Sequence, residues 1–129
     1  MGQRRPLFLD GGIIRALPAA DTLPPSPIIA ITGTAQTLGI AHLGAWLDCE
    51  NASAQTLTID TDANAAWPDN AEIQGMQMGA GKVSFVGAFG VTIRKRSVYN
   101  AACAGQYAPF GLKRVGANEW ALFGELEPV

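Results

Sequence analysis

The sequence predicts an all-β fold: a small antiparallel β-sandwich or barrel-like module with an extended, proline-rich N-terminal arm. Three observations support this. From residue 28 on, short apolar runs recur between Gly, Asn and Asp signals, as strands separated by turns do. Several runs alternate, so that in "QTLTID" Leu57 and Ile59 take one face while Thr56, Thr58 and Asp60 take the other. Residues 1–27 differ in kind, holding Pro6, Pro18, Pro24, Pro25 and Pro27 of the eight prolines.

Two segments follow, an anchoring arm over 1–27 and a β-module over 28–129. The arm ends in "DTLPPSP", an extended and semi-rigid stretch, because each proline fixes its own φ and biases its predecessor away from helix. Its Leu7, Phe8, Leu9, Ile13, Ile14 and Leu17 need a surface to dock on, either a partner or the module itself. The module's strands are read from "IIAIT", "GAWLDCE", "QTLTID", "AEIQGMQM", "VSFVGA", "FGVTIR", "YAPFGLKRV" and "EWALFGEL". Gly116-Ala117-Asn118 suits a hairpin between the last two. Only "TLGIAHLGAW", residues 37–46, reads as holding a helical turn.

The run "GMQMGAGKVSF", residues 75–85, invites comparison with a phosphate-binding loop. It fails on spacing, with five residues between Gly75 and Gly81 where four are needed, and Lys82 is followed by Val83, which has no hydroxyl for a metal. Strand-like flanks replace the helix whose N-terminus would face the phosphate. Gly79-Ala80-Gly81-Lys82 is expected instead to be a hairpin connection.

At 129 residues, 48% hydrophobic and 16% charged, the chain is expected to be one soluble domain with a real core. A net charge of −2 argues against a broad nucleic-acid footprint, and no apolar run reaches membrane-span length, so neither nucleic acid nor membrane is an expected partner. Leu7-Phe8-Leu9 is cut off by Asp10 before it can serve as a secretion signal, and Pro6 stands where a myristoylation motif needs Ser or Thr. Cys49 and Cys103 carry no framework signal and read as buried reduced thiols.

No chemistry-bearing constellation emerges, and the chain is read as a non-enzyme without metal or cofactor. His42, the single histidine, has small apolar neighbours and no orienting carboxylate nearby in sequence. Asp60, Asp62 and Asn64 alternate as the first ligands of a calcium loop do, but Ala65 and Ala71 replace the required Gly and Glu. A looser cation site with Asp69 competes there with an ordinary Asx-turn loop. Asp48 and Glu50 share a strand face, as any alternating acids would. Trp67, beside Pro68, is either a lid over the core or an exposed partner anchor. Arg94, Lys95 and Arg96 read as a solvated strand end, with an interface patch as the alternative.

Two stretches carry a resemblance. Residues 51–93 hold an asparagine-led strand of alternating Thr and apolar residues, a loop with "WPDN", a strand leading into "GAG", then "VSF" and "GVTI". Residues 105–126 begin with "GQYA" and end in a hairpin with "NEW" and "GEL". Both resemble a β-module of tailed-bacteriophage structural proteins, and "GGIIRALPAADTLP" over 11–24 is similar to their leaders. The loop at 61–66 departs in lacking the expected proline. The resemblance implies a virion structural component, a homo-oligomer and commonly a trimer, whose partners are other virion proteins of the capsid or tail lattice. A capsid decoration or head fibre is favoured over a tail-fibre tip, since a tip rides on a long shaft. Arg4, Arg5, Leu7, Phe8 and Leu9 are then the expected virion anchor. Trp67, Arg94, Lys95 and Arg96 are the expected partner contacts, with a host-surface glycan among the candidates. Rival classes are a carbohydrate-binding module using Trp67 and a hydrolase using Asp48 and Glu50.

Overall fold

From Ile28 the chain winds between two sheets instead of folding back on itself. The computed structural model describes residues 26–129 and, for the backbone alone, strands β1 (Leu7–Asp10) and β2 (Ile13–Ala16), which form an antiparallel hairpin. The rest of the arm, Arg4 and Arg5 included, lies outside the described residues. Three coils follow: β3 (Ile28–Ile31) to β4 (Ala35–Leu38), β5 (Trp46–Cys49) to β6 (Gln55–Ile59), and β7 (Glu72–Gln77) to β8 (Val83–Gly87). In each, the first strand joins a six-stranded sheet and the second a five-stranded sheet. The chain then closes both sheets with β9 (Thr92–Arg94), β10 (Tyr99–Cys103), β11 (Pro109–Gly116), β12 (Glu119–Gly124) and β13 (Leu126–Pro128). The orders are β3-β5-β7-β11-β12-β9 and β4-β6-β8-β10-β13.

The all-β expectation is met, but the antiparallel one needs correction. β3, β5 and β7 pair in parallel, as do β4, β6 and β8, and β9 lies parallel to β12. Among the described residues, antiparallel pairing is confined to β1–β2 and to the pairs that β10 and β11 make, including the β11–β12 hairpin through Ala117 and Asn118. Alternation specifies which face is buried but not the direction of the neighbour. Direction follows from the connections, and these cross between sheets.

One hydrophobic cluster is shared by both sheets. Leu38, Leu57, Ile59, Val83 and Phe85 face it from one side, and Leu47, Ile73, Phe110, Leu112 and Trp120 from the other. Phe85 meets Phe110 across the sheets at 4.8 Å between ring centroids. The alternation read in "QTLTID" holds, with Gln55, Leu57 and Ile59 buried and Thr56 and Thr58 half-buried.

The second correction concerns residues 79–82. β7 and β8 belong to different sheets, so this segment is an arch across the core edge and not a hairpin turn. It stacks on the arch of the preceding coil: Met78 and Gly79 N–H both donate to the Cys49 carbonyl, and Gly81 N–H donates to Asn51. A Cβ on Gly79 would collide with the Asn51 backbone, and one on Gly81 with Ser53. Those glycines serve close approach between arches.

Amide side chains staple the arches. Gln55, buried, donates from Nε2 to the carbonyls of Ile31 (2.8 Å) and Gly33 (2.9 Å) in the coil before it. Gln77, also buried, donates to the Gly79 carbonyl and accepts from Val83 N–H, tying the two ends of its own arch. Asn51 reaches back to Thr32, and Gln106 to Met78.

Candidate partner-contact surface

The opposite ends of the coils carry longer loops, and the sequence-predicted residues concentrate near them. Thr61 caps a four-residue helix α1 (Asp62–Ala65), its side chain accepting from Asn64 N–H. Asp62 accepts from Arg114 through both carboxylate oxygens (3.2 and 2.7 Å) and from the Asn118 N–H (2.9 Å). Arg114 also donates to Asp69 at 2.9 Å. The Arg114 guanidinium holds the Asp62 carboxyl below its ordinary range, with help from Asn118, against a smaller opposing effect of burial. The carboxylates that suggested a cation loop are thus each engaged by protein donors, Asp60 included, which accepts from Thr61 N–H and Asn64 Nδ2. Among the described residues no group of three metal-ligating acids, histidines or cysteines forms.

Trp67, one of the expected partner contacts, is buried, 6% exposed. It meets Trp120 edge-on at 4.9 Å and donates from Nε1 to the Asp60 carbonyl, so the loop closes over the core as a lid. Its indole satisfies its one polar group on the loop's own backbone, leaving the apolar ring free to pack inward.

Arg94, Lys95 and Arg96 run off the end of β9 and are exposed. Arg94 pairs with Glu119 on β12 at 2.6 Å. Arg96 stands 6.0 Å from the Tyr99 ring centroid. Beside them a cleft of about 200 Å³ opens, lined by Arg96, Tyr99, Leu122, Phe123, Gly124 and Leu126. It combines aromatic and aliphatic walls with one cation. Sequence spacing gives no sign of it, because β9, β10, β12 and β13 come together only through the sheet order.

Other candidates fall elsewhere. Asp48 accepts from Trp46 Nε1 on the outer face of β5, and Glu50 lies exposed beyond the strand. Neither lines this cleft, nor a second of about 170 Å³ at Trp46 and Glu72, nor a third of about 230 Å³ at Asp69 and Arg114. His42 sits in a 3-10 turn (Ile40–His42) and accepts the Gly39 N–H through Nδ1, where the sequence suggested a helical turn. Cys49 and Cys103 are free and buried, their thiols pushed up to about 12, chiefly by burial. Leu7, Phe8 and Leu9 fall on β1, described in backbone only. Comparison with protein-family models, with curated proteins and with solved structures finds no match.

Proposed function

We propose that the chain is a non-enzymatic virion structural protein of a tailed bacteriophage, a capsid decoration or head-fibre component. A Pro-rich arm tethers a sandwich-like body to the lattice, and the body assembles as a homo-oligomer. The observation that carries this reading is the way the two resembling stretches interlock. Residues 51–93 and 105–126 supply β6–β9 and β11–β12, and β11 pairs with β7 while β12 pairs with β9. They form one mechanical unit, as a display module requires.

Immunogold labelling of particles with an antibody against the chain tests it. Gold over heads supports the decoration reading, and particles without gold refute it. A tail-fibre or receptor-contacting role is the second reading, favoured by the Arg96–Tyr99–Phe123 cleft, whose aromatic walls and cation suit a host-surface glycan bearing a carboxylate. Gold confined to tails would select it.

A further inference from the structure

The two ends of the coil stack differ in how their sheet edges are treated. At one end the sheets finish in β9 and β13, three residues each, with Arg94 on one and Glu127 and Pro128 on the other. Charged and proline-bearing edges resist strand addition. At the other end they finish in β3 and β4, "IIAI" and "AQTL", without charge or proline.

Backbone phase identifies the groups left over. Trp46 N–H bonds the Pro27 carbonyl and Glu50 N–H the Ile31 carbonyl, so the odd-numbered peptide groups of β3 face β5 and those of Ile28 and Ala30 face outward. Thr56 N–H bonds the Thr34 carbonyl, so Ala35 and Thr37 face outward from β4. Among the described residues, the one side-chain bond to this set is from Gln36 Nε2 to the Thr37 carbonyl. Ile28, Ala30, Ala35 and Thr37 are all exposed. Ile29 packs on the core from this end and is only half-buried.

These two edges belong to one coil, joined across residues 32–34. A single incoming strand would satisfy one and leave the other. The β1–β2 hairpin cannot reach both, since its strands bond each other at about 4.8 Å while packed sheets lie about 10 Å apart. A second copy of this coil matches both at once. Rotation about a two-fold axis normal to the sheets sets β3 antiparallel to its counterpart and β4 antiparallel to its counterpart. Neutral edges then meet neutral edges, whereas a head-to-tail stack would bring the Arg94 and Glu127 strands into the join.

We infer that the chain pairs head to head through β3 and β4, continuing both sheets and covering Ile29. The pairing is two-fold, adds to any lateral assembly of the body, and does not rest on the virion reading. Ala30→Pro with Thr37→Pro tests it, removing two outward N–H groups while sparing every bond to β5 and β6. Ala30→Lys with Thr37→Lys keeps the N–H groups and adds charge, in case proline perturbs the strands. Sedimentation of the full chain should give a wild-type mass twice that of either variant, with unchanged circular dichroism. Equal masses would overturn the inference, whether wild type and variants share a monomeric state or a larger one. Amide hydrogen exchange supplies the other arm: Ala30 and Thr37 should be protected in the wild type only at concentrations where the double mass is seen. Protection of both amides in the undoubled species would show that the chain's own N-terminal segment covers the edge, and would also overturn it.

Discussion

Gln77 shows how a polar residue can hold an apolar edge in place. Its carboxamide accepts from Val83 N–H and donates to the Gly79 carbonyl inside the protein. Gln77→Leu should therefore cost about 2 kcal/mol, the scale of stranding buried peptide groups, and a lower denaturant midpoint would register it. Exposed Gln106, with one bond to Met78, should lose far less on the same change. Trp67→Ala should cost about 3–5 kcal/mol by emptying the site beneath the loop, again read by denaturant midpoint. Leu57, Ile59, Val83 and Phe85 were legible from alternation alone. Gln55 and Gln77 were not, because an amide at an inward position breaks the apolar pattern, and only the neighbouring arch explains it. Trp67 could be read either way, since burial depends on Trp120, far along the chain.

Among the elements, the arches and the α1 loop separate what periodicity reveals from what it hides. The strands were readable because a two-residue period survives whichever way the neighbour runs. Their directions were not, since a glycine-rich link looks alike whether it turns within a sheet or crosses between two. Gly81→Ala distinguishes these geometries: beside the Ser53 backbone, an added methyl should cost about 1–3 kcal/mol by thermal melting, where a solvent-facing turn would tolerate it. The α1 loop is fastened to the β11–β12 hairpin by Asp62. Because folding lowers this carboxyl's pKa, its stabilisation is fully present above the ordinary value of 3.8 and fades as pH falls through the lower folded-state value. Asp62→Asn should lower the melting temperature at neutral pH by about 5 °C, and the gap from wild type should narrow in strong acid. A gap independent of pH would mean the charge contributes nothing.

For the whole molecule, the arm and the body should be separable in effect. Under the proposed virion role, removing residues 1–26 is expected to abolish incorporation into particles while leaving the sheet signature of circular dichroism, and normal incorporation would refute that role for the arm. The body itself has a property that matters for variation. Since β5 and β7 repeat the same placement on successive coils, Trp46 opposite Gln74 and Cys49 opposite Gln77, the coil is a unit of length. Duplicating one coil would raise the stack by about one strand spacing, 4.8 Å, and leave both terminal edges chemically as they are. A lineage could thereby change the length of this body without redesigning the chemistry of either end.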